Sequence, residues 1–269
     1  MTKPLILIDG SSYLYRAFHA LPPLIASSGQ PTGAVYGVAN MIKRLIKDYA
    51  AEEIVAVFDA KGKTFRDDLY PEYKAHRPPI PKELSSQFAP LIAVLEALGV
   101  PVLIIPGVEA DDVIGTIANS AKNSQRKVII STGDKDMAQL VNSHISLLNT
   151  MTNTSMDEQG VEEKFGVKPG QIIDYLTLVG DSSDNIPGVT KCGPKTACKW
   201  LQEYQTLDNL IANAAKIGGK IGEHLRNDIA KLALSKQLVT IKTDVKLPKD
   251  IHEYKLQATD RSKLLKLAQ

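Results

Sequence analysis

The stretch LILIDG at residues 5–10 indicates the fold of this 269-residue chain. Within it, Leu5–Asp9 is predicted as a strand, because its apolar residues are continuous rather than alternating, which is typical of a strand buried on both faces, and the run ends on an acid. Further runs of the same kind lie at Ile54–Asp59, Val102–Ile105, Val128–Ser131 and Ile145–Leu148. Helical patterns separate them, near residues 33–49, 83–98, 109–122 and 134–141. This alternation predicts an α/β fold with a mostly parallel central sheet flanked by helices.

The last part of the chain is organised differently. Strand patterns fade after about residue 157, and helical patterns continue near residues 169–180, 194–203, 206–213 and 222–240. We therefore predict an α/β core over residues 1–157 and a helical subdomain over residues 158–269. Residues 60–82 are rich in proline and poor in apolar residues, which predicts a long mobile loop inserted in the core.

Composition excludes several classes of protein. The formal net charge is +2, and no apolar run approaches the roughly 20 residues that span a bilayer, so no membrane partner is expected. The chain does not open with a signal-peptide pattern. Cys192 and Cys198 have no second pair beside them, and their spacing suits neither a zinc site nor a disulfide framework. This cysteine usage predicts a reducing compartment, the cytoplasm.

Charge is distributed unevenly along the chain. Residues 105–184 have a balance of −6, whereas residues 61–82 and 185–246 have balances of +3 and +5. Two interpretations are open: random scatter over a solvated surface, or a polyanion held by the basic segments beside metal ions held in the acidic one.

Acids recur where the predicted strands end. They are Asp9, Asp59, Glu109, Asp111, Asp112, Asp134 and Asp136, and Asp181 and Asp184 follow where the helical part begins. Because ligands of open parallel sheets bind outside the carboxyl ends of the strands, we expect these side chains to share one crevice.

A single aspartate at a strand end is more often a turn former or a helix cap than a ligand. Clustered carboxylates, however, must take up protons or bind cations. Oxygen ligands without His or Cys favour Mg²⁺ or Mn²⁺, and two such ions about 3.5–4 Å apart activate a water and stabilise the leaving oxygen of a phosphodiester. The sequence therefore favours a two-metal site.

A basic stretch lies in the loop predicted over residues 60–82. Tyr70, Tyr73, Lys74 and Arg77 have i, i+3, i+4 and i+7 spacing, which predicts one face of a short helix. Tyr73 is then placed to stack on an unpaired base, and Lys74 and Arg77 to hold the scissile phosphate. The alternative is a solvated basic loop without function.

A second basic stretch, NIPGVTKCGPKTA at residues 185–197, combines two turn signals. Pro187-Gly188 predicts a tight turn, and Gly193-Pro194 predicts the start of a helix. Backbone amides at such a turn bind phosphate without reading sequence, and Lys191, Lys195 and Lys199 add positive charge. The alternative is an ordinary connection between two helices.

Long motifs in order identify a family. LILIDGSSYLYRAFHA, FDAKGKTFRDDLYPEYKAHRPPIP, GVEADDVIGT, STGDKDMAQLV and GDSSDNIPGV resemble the 5′ nuclease (5′–3′ exonuclease) domain of bacterial DNA polymerase I, in the flap endonuclease family. The resemblance implies a PIN-like core, a helical arch at about 60–98 and a helix–hairpin–helix element at about 182–200. It also implies cleavage of 5′ flaps and 5′ ends of branched or nicked duplex DNA and of RNA primers paired with DNA, in replication and repair, beside a fused or separate DNA polymerase.

The resemblance implies site residues as well. The nine acids above are implied to bind two Mg²⁺ ions, for which Mn²⁺ can substitute, and the catalytic group is implied to be Lys74, Arg77, Asp111 and Asp112. The DNA contacts implied are Arg16, Tyr73, Lys74, Arg77, Gly188, Lys191, Gly193, Lys195 and Thr196. A K⁺ site is implied at Ser182, Ile186 and Val189. The family usually has glycine where this chain has Lys191, which restricts the backbone there.

Two other functions remain as alternatives. A PIN-like ribonuclease also places acids at the ends of parallel strands, but it would lack the arch and the helical duplex-binding part. A non-catalytic DNA-binding module whose acids only cap helices would bind no divalent metal.

Overall fold

The structure is a computed structural model that describes residues 3–267. Its centre is a six-stranded sheet in the order β3-β2-β1-β4-β5-β6. The strands are β1 Leu5–Asp9, β2 Ile54–Phe58, β3 Val102–Ile104, β4 Val128–Ser131, β5 Ile145–Asn149 and β6 Thr154–Met156. The first five pair in parallel, and β6 is antiparallel to β5. The predicted mostly parallel sheet is confirmed, and the short edge strand β6 is an addition to it.

Helices cover both faces of the sheet and form the rest of the chain. They are α1 Gly10–Ala20, α2 Gly33–Tyr49, α3 Phe65–Leu69, α4 Lys82–Ser85, α5 Phe88–Ala97, α6 Ala110–Asn123, α7 Glu158–Phe165, α8 Ile172–Val179, α9 Pro194–Tyr204, α10 Leu207–Ala212, α11 Gly219–Val239 and α12 Arg261–Leu267. No helix within residues 3–267 is long and apolar enough to cross a membrane.

Two predicted helices differ from the pattern that the sequence suggested. The helix predicted over 83–98 is interrupted between α4 and α5, where the buried Gln87 turns towards α2. Its Oε1 atom accepts the backbone N–H of Ala34 at 2.8 Å, which satisfies an amide at the start of α2. The helix predicted over 134–141 is a short 3₁₀ turn, Asp136–Leu140.

The proline-rich segment has more structure than the sequence predicted. Residues 65–69 form α3, which a capping box at Thr64 and Asp67 begins. Residues 71–77 form successive turns instead of the predicted helix. Lys74 has a left-handed backbone (φ 56°), which no α-helix accommodates, and its N–H is donated to the carbonyl of Asp184 at 2.9 Å. The prediction that Tyr70, Tyr73, Lys74 and Arg77 share a helical face is therefore wrong.

Apolar side chains pack on the two faces of the sheet as two clusters. Leu5, Val55 and Ile130 point to one face, where the cluster continues into α8, α9 and α11. Ile6, Ile8 and other residues point to the opposite face, against α1, α2 and α5. The helical subdomain thus shares its core with the sheet, and the boundary at residue 157 remains a prediction. After the helical subdomain the chain returns to the sheet, where Leu256 donates its N–H to the carbonyl of Glu52, just before β2.

Candidate active site

The strand order places the predicted acids at one end of the sheet. β1 lies between β2 and β4, and the order reverses between β1 and β4, which is where open α/β sheets bind ligands. Asp9 ends β1, Asp59 directly follows β2, and Asp134 follows β4 by three residues. Acids that are 50 or more positions apart along the chain are in this way brought to the same edge.

Asp9 is both a helix cap and a member of this group. Its Oδ1 atom accepts the N–H of Ser12 at 2.9 Å and begins α1, and its Oδ2 atom accepts the hydroxyl of Thr132 at 2.7 Å. Burial raises the pKa of Asp9 to about 7, and the nearby carboxylates of Asp134 and Asp59 add to that rise. The capping interpretation of strand-end aspartates is thus correct for Asp9, but it does not account for the neighbouring charges.

Asp111 experiences the charges of several of the other acids. It stands in the first turn of α6, and Ala110 beside it donates its N–H to Asp59 Oδ1 at 2.8 Å. Burial raises the pKa of Asp111 well above its ordinary value, and so do the charges of Asp134, Asp9, Glu109 and Asp59, in that order. Carboxylates from the ends of β1, β2 and β4 and from α6 therefore act on a single side chain.

A second group of acids adjoins the first. Burial raises the pKa of Asp136 to about 7, with further contributions from Asp134, Asp181 and Asp184. Asp136 Oδ1 is buried and has no hydrogen-bond partner within residues 3–267. Asp181 is held by Ser183, whose N–H and hydroxyl lie 2.7 and 2.6 Å from Asp181 Oδ1.

The turns at residues 71–77 place two cations over these acids. The Lys74 ammonium pairs with Glu109 and lies 3.8 Å from Asp184 Oδ2, and the Arg77 guanidinium pairs with Asp184. Asn185 holds the same turns from the other side, because its Nδ2 donates to the Glu72 carbonyl at 2.7 Å. The predicted phosphate-binding residues are thus at the acids, although not through a helix.

Tyr73 occupies a different environment from the predicted one. Its side chain is 5% exposed, and its hydroxyl lies 3.1 Å from Glu109 Oε2 and 3.3 Å from Asp184 Oδ2. Burial, followed by the charges of Glu109 and Asp184, raises the pKa of the Tyr73 phenol. The prediction that its ring stacks on an unpaired base is wrong for this arrangement, because the ring is packed in the core.

Asp112 is also placed differently from the prediction. It is fully buried, and both of its oxygens bind the guanidinium of Arg66, at 2.7 and 2.9 Å. The same oxygens accept the N–H groups of Glu109 and Lys242 at 3.0 and 2.9 Å. With its acceptor sites filled, Asp112 has none to offer a metal ion, so the structure contradicts its prediction as a metal ligand and catalytic residue.

Arg66 is the residue that sequence reasoning missed. Its only sequence signal is that an arginine stands in a predicted loop, which is ordinary for an exposed residue. In the structure its side chain is 2% exposed. Nothing local in the sequence pairs it with Asp112, which lies 46 positions away.

The acids fit divalent cations by their chemistry. Within residues 3–267, no three His, Cys, Asp or Glu side chains are grouped tightly enough to enclose a metal ion as they stand. The donors are nevertheless all carboxylate oxygens, three of the carboxyls have a raised pKa, and Asp136 Oδ1 has no partner. Hard cations such as Mg²⁺ satisfy those conditions, and soft ligands are missing from this set. We refer to the remaining eight acids as the acid cluster: Asp9, Asp59, Glu109, Asp111, Asp134, Asp136, Asp181 and Asp184.

Arg16 lies beside the acid cluster on α1. Its Nη1 lies 3.3 Å from Asn149 Oδ1 and its Nη2 lies 3.4 Å from the carbonyl of Gly133. A Cβ atom at Gly133 would collide with the guanidinium of Arg16. Glycine at this position therefore lets Arg16 pass close to the loop that carries Asp134.

The predicted hairpin element, residues 182–200, forms a turn followed by α9. Gly188 passes close to the end of α8, where an added Cβ would lie 2.5 Å from the carbonyl of Val179. The N–H of Thr190 is donated to the buried Asp228 of α11 at 2.7 Å. Lys191, Lys195 and the start of α9 at Pro194 are exposed, and Lys191 has a left-handed backbone (φ 62°).

The residues of the predicted K⁺ site lie in the same turn. The carbonyl of Ile186 accepts the N–H of Asp181, and that of Val189 accepts the N–H of Cys192. Both side chains are buried, whereas Ser182 and Thr190 face solvent. Thr196 donates its N–H to the Gly193 carbonyl in the first turn of α9.

Fold and site together define an α/β protein that gathers carboxylates at the switch point of a parallel sheet beneath two cations. Residues 4–166 match the family model of the 5′-3′ exonuclease N-terminal resolvase-like domain, and residues 167–262 match that of the 5′-3′ exonuclease C-terminal SAM fold. The chain belongs to the 5′-3′ exonuclease family, as its motifs implied.

Individual proteins agree with this assignment. The chain is 40% identical over 262 residues to the 5′-3′ exonuclease of Aquifex aeolicus, covering 97% of this chain and 90% of that protein. It is 54% identical over 256 residues to DNA polymerase I of Pseudomonas aeruginosa, covering 92% of this chain but 28% of the polymerase. A bacteriophage T5 flap endonuclease in a pseudo-enzyme-product complex with DNA and metal ions has a TM-score of 0.75 at 25% identity, covering 89% of this chain and 90% of the other.

Proposed function

We propose that this chain is a structure-selective nuclease that hydrolyses phosphodiester bonds at 5′ flaps and 5′ ends of duplex DNA. The observation that carries the proposal is the acid cluster, in which burial and then four neighbouring carboxylates raise the pKa of Asp111. Lys74 and Arg77 pair with two other members of the cluster, Glu109 and Asp184. We extend the proposal to RNA primers paired with DNA, and hence to primer removal and repair.

The acid cluster is proposed to bind two Mg²⁺ ions, with Mn²⁺ as a substitute. Asp9, Asp59, Asp111 and Asp134 would hold cations at the ends of the strands, and Asp136, Asp181 and Asp184 would do so beside them. When bound, the ions supply a nucleophile from water at neutral pH and offset the charge of the leaving oxygen. Glu109, which pairs with Lys74 and acts on the pKa of Asp111, is the remaining ligand candidate.

Lys74 and Arg77 are proposed to hold the scissile phosphate. In the structure they pair with Glu109 and Asp184, so both cations lie next to members of the acid cluster. A phosphate that enters beside the acid cluster offers each cation a substitute for its carboxylate, and the guanidinium of Arg77 can bind it through two N–H groups. Both cations then stabilise charge that develops on the phosphate oxygens.

The hairpin element is proposed to hold the downstream duplex. Its exposed lysines and the amides at the start of α9 would bind phosphates without reading sequence. Arg16 is proposed as a further contact near the cleavage site, and K⁺ binding at Ser182, Ile186 and Val189 remains part of the proposal. Since the chain spans 28% of the matching Pseudomonas aeruginosa polymerase, a DNA polymerase, fused or separate, is the proposed partner.

The test is incubation with a labelled double-flap DNA, with Mg²⁺ and with a chelator, followed by sizing of the products. We expect Mg²⁺-dependent cleavage near the base of the 5′ flap, and we expect Asp111→Asn to slow it by orders of magnitude while DNA binding persists. Asp157→Asn is the matched control, because Asp157 is an exposed acid that only caps α7.

Other outcomes would select an alternative. Cleavage of single-stranded RNA in place of flap DNA would support a ribonuclease. Calorimetry that detects no binding of Mg²⁺ or Mn²⁺ would support a non-catalytic DNA-binding module. Near-wild-type turnover by Asp111→Asn would refute the metal assignment.

A further inference from the structure

The buried guanidinium of Arg66 is surrounded by acceptors. Its Nε donates to the carbonyl of Leu238 at 2.8 Å, and its Nη2 donates to that of Thr240 and to Asp112 Oδ1, each at 2.9 Å. Its Nη1 lies 2.7 Å from Asp112 Oδ2 and 3.1 Å from Glu109 Oε2. Four of the five N–H donors of the side chain thus have hydrogen-bond acceptors, and Nη1 also forms an ion pair with Glu109.

These acceptors belong to separate parts of the fold. Glu109 caps α6, the helix that begins with the acids, and Asp112 lies in its first turn. Leu238 and Thr240 are at the end of α11, where backbone carbonyls have no partner within the helix and favour a cation. Arg66 itself lies on α3, directly before the turns that carry Lys74 and Arg77.

The same helix contacts the hairpin element from its middle and from its second half. Asp228 accepts the N–H of Thr190, and the hydroxyl of Ser235 donates to the Pro187 carbonyl at 2.5 Å. Asp228 and Leu238 are ten residues apart on one helix, which is a rise of about 15 Å, so the contacts to the hairpin element and to Arg66 have a fixed relative position. Arg66 is therefore the point at which α11, α3 and the acid-bearing start of α6 are joined.

We propose that Arg66 is a positioning residue for cleavage, which fixes the Glu109 carboxylate and the start of α6 against the end of α11. The inference rests on the proposed function and deepens it. Lysine carries the same charge but not the planar fork, so it can satisfy only part of this set of acceptors. The planar fork of the guanidinium binds both oxygens of Asp112, and Asp112 Oδ2 accepts the N–H of Glu109 at 3.0 Å, so the geometry of Arg66 as well as its charge positions Glu109.

The test compares Arg66→Lys, Arg66→Gln and the paired variant Arg66→Gln/Asp112→Asn. The paired variant removes both buried charges together, which avoids leaving one unpaired, and keeps an amide at each position. Arg44→Lys is the matched control, because Arg44 forms an exposed pair with Asp48 on α2 at 3.2 Å. Each protein is assayed below its own unfolding temperature, so that only folded protein is compared.

Three quantities are measured: the single-turnover rate constant at saturating flap DNA with Mg²⁺, the affinity for Mn²⁺ alone by calorimetry, and the affinity for duplex DNA in chelator. In Arg66→Lys we expect the rate constant and the Mn²⁺ affinity to fall about 10-fold or more, as is typical when a group that orients a metal ligand is changed, with duplex affinity within about 2-fold of wild type. In the paired variant we expect thermal stability to exceed that of Arg66→Gln, while the rate constant stays low.

A purely structural role makes the opposite prediction. It requires folded Arg66→Lys to keep the wild-type rate constant and Mn²⁺ affinity, or the paired variant to recover its rate together with its stability, and either result overturns the proposal. A wild-type chain that cleaves no flap DNA would refute the proposed function instead, and the Mn²⁺ affinities would then decide the role of Arg66 by themselves.

Discussion

Replacing Lys191 by glycine should have opposite effects on folding and on DNA binding. Lys191 is exposed and has φ 62°, a backbone conformation that L-residues with a side chain avoid. The left-handed conformation of a residue with a Cβ destabilises the folded state by roughly 1–2 kcal/mol, and glycine removes this destabilisation. Glycine also gives the unfolded chain more conformational freedom, which lowers the free energy of unfolding by roughly 0.5–1 kcal/mol. The net expectation for Lys191→Gly is a free energy of unfolding that is higher by up to about 1.5 kcal/mol.

The same change removes one positive charge from the hairpin element. One phosphate contact contributes about 0.9 to the slope of log affinity against log salt. Between about 50 and 200 mM salt, the duplex affinity of the wild-type chain should then fall about 3-fold more than that of the variant. Urea unfolding measures the first effect, and a fluorescence anisotropy titration with a blunt duplex in chelator measures the second.

Two controls separate backbone from charge. Lys195→Ala removes a neighbouring charge within α9, so we expect the same loss of salt slope without added stability. Lys191→Asn keeps a side chain that tolerates the left-handed region, so we expect loss of the slope with only part of the stabilisation. If Lys191→Gly is less stable than wild type, the backbone reasoning fails, and an unchanged salt slope removes Lys191 from the duplex contacts.

Two further predictions concern the acid cluster. Lys74→Ala should lower the single-turnover cleavage rate constant by about 10²–10³, as is typical when a group that stabilises transition-state charge is lost. Lys82→Ala is the control, because Lys82 is an exposed lysine of the same segment and its loss should leave the rate constant unchanged. Equal rate constants for the two variants would remove Lys74 from the catalytic group. Gly133→Ala should displace Arg16, since the new Cβ collides with its guanidinium, and should lower the rate of flap DNA cleavage. Gly170→Ala is the control, because a Cβ there meets nothing within 4 Å. A wild-type cleavage rate for Gly133→Ala would show that the position of Arg16 is unimportant for cleavage.

Local sequence patterns predicted the parts of the fold that depend on neighbouring residues. The continuous apolar runs Leu5–Asp9 and Val128–Ser131 form strands with the predicted bounds. A strand that is buried on both faces needs apolar side chains at consecutive positions, so its bounds can be read from the sequence. α2 was predicted with its observed bounds for the same reason, since its apolar spacing is periodic. The helix predicted at 83–98 failed where Gln87 satisfies an amide of α2, a demand that comes from outside the helix.

The site divides in the same way. The sequence by itself determined which strand ends carry acids, since an acid ends or follows within a few residues each of the apolar runs of β1 to β4, and the parallel sheet then brings those ends to one edge. Only the tertiary structure decided which acids remain available there. Asp111 and Asp112 are adjacent in sequence, yet one faces the other carboxylates and the other is neutralised by Arg66, 46 positions away. Two neighbours on a helix point about 100° apart, and which of them meets a buried arginine depends on how distant segments pack, which no local pattern records.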